Sequence, residues 1–189
     1  MKALLFLVCL APLLRLGWRA FHAALGANPV QTVQFQTGLW ALNLLLVTLA
    51  ITPLVKLTGK SALNKYRRML GVFSYFYALL HFLTYLVLDK FFDFHEIWKD
   101  VAKRLWITAG FSCFILLTPL ALTSTDGMIR RLGKNWGLLH RLIYPAAILG
   151  VVHFLWLVKK DRTAPLEYAA ALAVILGARF VLKASDFRR

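Results

Sequence analysis

Polar residues in this chain cluster, and between the clusters stand six long apolar runs. Their positions predict helices at roughly 3–24, 38–57, 70–88, 104–123, 136–157 and 165–183. A stretch of ~20 apolar residues spans the ~30 Å hydrocarbon core of a bilayer. A spanning segment must also satisfy its own backbone polar groups, which a helix does. The pattern therefore predicts an all-α integral membrane protein, a six-transmembrane-helix bundle forming a single domain over 1–189. Gly26-Ala27-Asn28-Pro29 reads as the first turn. Thr52-Pro53-Leu54 and Thr118-Pro119-Leu120 are similar phrases near two helix ends, and no other repeat is apparent. The first run has the form of a signal peptide after Lys2, but it is long and carries Arg15 and Arg19, so it reads as a first spanning helix.

Composition agrees with this reading. Hydrophobic residues make up 60% of the chain, charged residues 16%, and mean hydropathy is +0.66. The net charge of +15 would suggest nucleic acid in a soluble protein. In a bundle of apolar helices it reads instead as topology and lipid headgroup contact, with no nucleic-acid partner. Lys2, Lys56, Lys60, Lys65, Arg67, Arg68, Arg130, Arg131, Lys134, Arg141, Lys183, Arg188 and Arg189 fall on one side of six spans. Lys90, Lys99, Lys103, Arg104, Lys159, Lys160 and Arg162 fall on the other, diluted by Asp89, Asp93, Glu96, Asp100, Asp161 and Glu167. The positive-inside rule then puts both termini in the cytoplasm. Cys9 and Cys113 sit in different runs without a CxxC or CxxCH motif, so they read as packing residues.

Ionisable residues inside a membrane are costly, and each raises a functional hypothesis. His81 lies in the third run, and His140 and His153 lie in the fifth. At a rise of ~1.5 Å per residue, His81 is about 18 Å deep, His153 about 24 Å and His140 about 5 Å. His81 and His153, at matched depth on parallel helices, suit the two axial positions of one haem iron. Phe76, Phe82, Phe154 and Trp156 are candidates for its apolar wall. On an ideal helix the rings of His140 and His153 point about 140° apart, with Pro145 between them as a candidate kink. One bis-histidine haem is therefore expected, with His140 left for a second centre. His22 and His95 read as an interfacial and a loop residue.

Arg67, Arg68 and Arg141 form a candidate cationic rim near His140, suited to haem propionates or a flavin phosphate. Trp40, Trp106, Trp136 and Trp156 read as interfacial anchors. Arg19 and Arg179 are expected to snorkel toward opposite faces, and Arg15 has no ready explanation. There is no glycine-rich phosphate loop and no carboxylate dyad.

Several stretches carry a family resemblance: Phe76-Tyr77-Ala78-Leu79-Leu80-His81-Phe82-Leu83-Thr84-Tyr85, Leu117-Thr118-Pro119-Leu120-Ala121-Leu122-Thr123-Ser124, and Arg131 to Tyr144 followed by His153-Phe154-Leu155-Trp156. Asn28-Pro29-Val30 and Arg67-Arg68-Met69-Leu70-Gly71 belong with them. On these residues the chain resembles, over nearly its whole length, the MsrQ (formerly YedZ) family of ferric-reductase-like transmembrane proteins. The resemblance implies a b-type haem subunit in the bacterial inner membrane that takes electrons from the quinone pool. It implies delivery to MsrP, a periplasmic molybdenum-cofactor subunit that reduces methionine sulfoxide in proteins, and an associated FMN. It also implies His81, His140 and His153 as haem histidines. Wider relatives often carry two histidines on each ligand helix, whereas the third run here has His81 alone.

The expected function is thus electron transfer across the membrane, with catalytic sulfoxide reduction on the partner. The rivals are a stand-alone ferric or flavin-linked membrane reductase, a histidine-lined proton channel or transporter without cofactor, and a cofactor-free scaffold.

Overall fold

The computed structural model describes residues 1–186, with side chains through Leu182. The Lys183 side chain, Arg188 and Arg189 lie outside the described residues. Every regular element among the described residues is helical: α1 (Lys2–Phe21), α2 (Pro29–Thr58), α3 (Asn64–Leu83), α4 (Phe94–Lys103), α5 (Leu105–Leu122), α6 (Asp126–Leu132), α7 (Lys134–Leu139), α8 (Ile143–Leu157) and α9 (Thr163–Asp186). Six stretches are long and apolar enough to cross a membrane: α1, α2, Ser61–Asp89, α5, Lys134–Leu157 and Thr163–Leu182. The chain is an all-α, multi-pass membrane bundle, as the apolar pattern predicts.

Several boundaries differ from the hydropathy reading, each for a local reason. Helix α2 begins at Pro29 rather than near 38. The Asn28 side chain accepts from the Gln31 N–H at 3.1 Å, and Pro29 takes the first helical position. This is a strong start signal. Gln31, Thr32, Gln34 and Gln36 lower the hydropathy there without opposing the helix. Beyond Leu83, the chain continues as a π turn over Thr84–Asp89, followed by Phe91 and Phe92 at positive φ. The fifth span is two helices joined by a 3-10 turn at His140–Leu142. That turn, rather than a proline kink, interrupts the helix between His140 and His153. Pro145 sits in the first turn of α8, where its missing N–H breaks no ladder bond.

Helix α2 is central. Leu42, Leu45, Leu46 and Leu49 recur at helical spacing and bury against Cys113, Leu117 and Leu120 of α5, Ala146, Ala147 and Val151 of α8, and Leu172 of α9. Its other face presents Leu44 and Ile51 to Cys9 of α1 and to Leu70, Phe73 and Tyr77 of α3. Ala146 and Ala147 are fully buried, and Gly150 packs on Cys113 and Leu42, so α8 approaches its neighbours through small residues. Lipid is as apolar as leucine, so close packing and interhelical hydrogen bonds hold such bundles together.

At two places a side chain from another helix enters a helix ladder, and at one of them a proline has left the opening. Pro53 cannot donate to the Leu49 carbonyl four residues back. Arg179 of α9 supplies the donors, from Nε at 2.9 Å and Nη2 at 2.6 Å, and also reaches Thr52 Oγ1 and Tyr144 Oη. Arg179 therefore does not snorkel to the inner face; it fastens α9 to α2 and α8. In α1, which carries Pro12, the Tyr77 hydroxyl accepts from the Leu13 N–H and donates to the Cys9 carbonyl, entering the helix ladder. Arg19 folds back on the Ala24 carbonyl, and Arg15 is exposed. Arg179→Met is expected to cost about 1.5–3 kcal/mol, because it removes charge-assisted bonds and leaves a carbonyl unpaired. Thermal unfolding in detergent reads this, with Arg179→Lys intermediate. An unchanged midpoint would show that the clamp is idle.

Lys2, Lys65, Arg68 and Asp126 line one cavity, and Lys56 donates to the Leu182 carbonyl. The described beginning and end of the chain therefore share one end of the bundle, here called the basic end. Lys90, Asp100, Arg104 and Lys159 gather at the opposite end.

Candidate functional site

The site is built from two helix pairs, α2 with α3 and α5 with α8, that repeat one local geometry. His81 Nδ1 of α3 donates to the Gln34 carbonyl of α2 at 2.8 Å, and its ring lies over Gly38. His153 Nδ1 of α8 donates to the Trp106 carbonyl of α5 at 2.6 Å, and its ring lies over Gly110. Gln34, Gly38 and His81 each precede their counterparts Trp106, Gly110 and His153 by 72 residues. The same offset relates a second bond in each pair. Ser74 Oγ donates to the Ala41 carbonyl in one, and Cys113 Sγ to the Ala146 carbonyl in the other. The chain thus contains a repeated two-helix unit, which the phrases around Pro53 and Pro119 do not mark.

The two units bring His81 and His153 together, with ring centroids 6.0 Å apart and planes at 75°. Aromatic contacts between α3 and α5 hold this approach: Tyr75 stacks on Phe114, and Phe82 contacts both Phe114 and Phe111. A backbone carbonyl can only accept, so each Nδ1 carries the proton and each Nε2 keeps its lone pair. No hydrogen bond to either Nε2 occurs among the described residues. Two imidazoles bound opposite each other on one metal, with bonds of about 2.0–2.1 Å, place their centroids about 6 Å apart. Histidines whose second nitrogen is pinned to a carbonyl are the usual form of metal-binding imidazole. The glycines complete the fit. A Cβ at Gly110 would lie 2.7 Å from His153 Nδ1, and one at Gly38 would lie 2.9 Å from His81 Nδ1. The residues present therefore suit one bis-imidazole haem in apolar surroundings.

The other expected residues fall into separate places. Phe82 and Phe154 belong to the aromatic shell, Phe154 against Tyr168 and Phe35. Phe76 packs instead toward α1 with Phe73, and Trp156 is half exposed. His140 stands apart from the pair, in the 3-10 turn. Its Nε2 contacts Thr123 Oγ1 at 3.0 Å, and its ring stacks on Trp136 at 3.9 Å. Trp136 Nε1 donates to the Thr123 carbonyl, so this tryptophan is more than an anchor. By the 72-residue offset, the counterpart of His140 is Arg68. Arg68 is ion-paired with Asp126 and lines a cavity of about 510 Å³ with Lys2, Lys65, Ser124 and Thr125. Arg141 is exposed and makes no hydrogen bond or ion pair among the described residues. Among the described residues, none of Arg67, Arg68 and Arg141 hydrogen-bonds to His81, His140 or His153.

At the opposite end Asp100 is a buried node. It pairs with Lys90 at 2.7 Å and Arg104 at 3.1 Å, and accepts from Tyr85 at 3.2 Å. Burial by itself would raise its carboxyl, but the Lys90 bond and charge and the Arg104 charge outweigh burial and hold it below the usual range. A depressed carboxyl stabilises the fold above its unfolded value of about 3.9, and that stability is lost as pH falls through the folded value. Melting in detergent is expected to drop as pH falls below about 4, and Asp100→Asn is expected to flatten that drop. An identical pH slope in the variant would refute the assignment.

Sequence reasoning found the histidines but missed Gln34, Gly38, Trp106 and Gly110. The available signal was a glycine four residues after the accepting carbonyl in each preceding helix, since glycine inside a spanning helix marks close approach.

The ferric reductase like transmembrane component family matches residues 37–151. The protein-methionine-sulfoxide reductase heme-binding subunit MsrQ of Xanthomonas axonopodis pv. citri is 50% identical over 190 residues, covering 97% of this chain and 87% of the relative. The MsrQ of Xanthomonas campestris pv. campestris (strain B100) is 51% identical over 176 residues, covering 90% and 81%. That of Rhodospirillum rubrum is 48% identical over 177 residues, covering 93% and 85%. No solved structure matches the chain. With likeness at this level over nearly its whole length, the chain belongs to the MsrQ family of ferric-reductase-like transmembrane proteins.

Proposed function

We propose that this chain is a b-type haem electron-transfer subunit of a methionine sulfoxide reductase system. It carries electrons from the quinone pool to a periplasmic molybdenum-cofactor subunit, MsrP, which reduces methionine sulfoxide in proteins. The observation that carries the reading is the His81–His153 pair, each ring pinned through Nδ1 and facing its partner across 6.0 Å. Relatives named as heme-binding subunits, about half identical over nearly the full chain, support it.

In this reading the chain is one ferric-reductase-like domain over 1–189 in the bacterial inner membrane, with its basic end and both termini cytoplasmic. His81 and His153 hold the iron through Nε2. Gln34 and Trp106 fix the tautomer through their carbonyls. Gly38 and Gly110 leave room for the rings, and Phe82, Phe111, Phe114 and Phe154 exclude water. Haem, when bound, supplies one-electron transfer, which none of these side chains can provide. His140, with Thr123 and Trp136, is assigned to a second, inner cofactor contact, and Arg67, Arg68 and Arg141 to its anionic groups. FMN and quinone are the candidates there.

The test is a dithionite-reduced minus oxidised spectrum of detergent-purified protein, with haem extracted and counted. A low-spin b-type spectrum with one haem per chain is expected from the pair alone, and two would assign His140 to an iron. Colourless protein from cells given ample haem precursor would overturn the reading in favour of a channel or scaffold.

A further inference from the structure

We infer that the cationic surface around Trp106, at the end of the bundle opposite the basic end, is where the soluble redox partner docks, through an acidic patch of its own. The inference rests on the electron-transfer reading and adds the place and the chemistry of recognition. It starts from an asymmetry between the two repeated units. Gln34 and Trp106 hold equivalent positions, each giving its carbonyl to a histidine. The chain neighbours of Gln34 are neutral: Asn28, Gln31, Thr32 and Gln36. The Trp106 indole instead has two cations on it, Arg104 at 5.9 Å and Lys159 at 5.5 Å from the ring centroid. These come from separate connections, α4–α5 and α8–α9, so the fold assembles the patch.

The nearby acids, exposed Asp161 and Glu167 among them, offset it only in part, and Asp100 is shared by two cations. Asp100 is buried between Lys90 and Arg104. The Asp161 side chain accepts from the Thr163 N–H at the start of α9, and Glu96 faces Lys99. Lys103, Lys159, Lys160 and Arg162 all remain exposed. A patch of one sign steers a partner of the other and sets orientation at contact. Its centre also lies on a continuous path to the proposed redox site: the Trp106 indole, its own carbonyl, and His153 Nδ1 at 2.6 Å. A partner seated here would face the histidine-holding residue whose own side chain carries cations.

The neighbouring aromatic residues offer a different surface. Phe91, Phe94 and Trp98 are 79%, 70% and 74% exposed, and Leu88 and Leu105, at the span ends that flank them in sequence, are exposed as well. That exposure suits insertion at the lipid boundary, leaving the cations for the soluble partner.

The experiment measures association of purified MsrP with the full chain in nanodiscs, across ionic strength. Lys159→Glu with Lys160→Glu is compared with Lys60→Glu at the basic end. Haem content and spectrum are recorded for every sample. The expected result is a fall in association rate of about tenfold or more, with a weaker salt dependence, for the double variant only, at unchanged spectrum. Wild-type association with the double variant would overturn the docking site while leaving the haem reading intact. So would loss of association on Phe94→Ser with Trp98→Ser but not on charge reversal. A wild-type chain without haem would instead fail the underlying reading.

Discussion

His81→Ala and His153→Ala are each expected to abolish the low-spin bis-histidine spectrum. The rings face each other at 6.0 Å, and neither helix offers a second histidine to that gap. Loss of one imidazole leaves the iron five-coordinate at best and opens the site to water, so haem should be lost on purification or turn high-spin. The two variants should be equivalent, because the repeated units make the positions equivalent. His140→Ala provides the contrast: its ring contacts Thr123 and Trp136, away from the pair, so the bis-histidine spectrum should persist. Absorbance spectra with haem extraction read all three. Normal low-spin haem in both His81→Ala and His153→Ala would remove the pairing.

Gly110→Ala is expected to have an effect nearly as large, although it adds one methyl group to a helix and alanine favours helix over glycine. The new Cβ would lie 2.7 Å from His153 Nδ1 and 2.9 Å from Cε1. Either the ring shifts and loses the Trp106 carbonyl, or α5 and α8 separate. Disturbing the group that orients a metal-binding histidine typically costs about 10–100-fold in affinity. Gly38→Ala should follow with a somewhat milder loss, its Cβ falling 2.9 Å from His81 Nδ1. Gly150→Ala is the control: its Cβ would make ordinary contacts of 3.5 Å with Cys113 and Leu42. The measurement is the haem-to-protein ratio together with the low-spin electron paramagnetic resonance signal. Full occupancy and an unchanged signal in Gly110→Ala would mean that the glycine cradle does not position the ligand.

The two predictions differ in how far they could be read from the sequence. The histidines are legible because an ionisable residue in an apolar run stands out, and because depth along a helix is simple arithmetic. The glycines are not, since a glycine among apolar residues carries no label for what lies against it. Only the approach of α2 to α3 and of α5 to α8 shows a ring on each. Arg179 is a similar case: its charge is visible in the sequence, but the Leu49 carbonyl that Pro53 leaves open lies on another helix. The basic rim is legible only as charge near span ends. Arg67, Arg68 and Arg141 are near one another in the reading of spans, yet Arg68 is engaged by Asp126 and Arg141 stands exposed.

By itself, the sequence determined the solvent of this protein, its helical class, its spans and the three intramembrane histidines. Those depend on hydropathy, helix period and the cost of charge in lipid, all of which act along the chain. Depth along parallel helices also pointed to His81 and His153 as the pair; the tertiary structure decided how closely they meet, which nitrogen each keeps free, the 72-residue repeat of the cradle, and the gathering of cations on Trp106. Those depend on contacts between helices, where the partners are separated by tens of residues and local pattern carries no information about them.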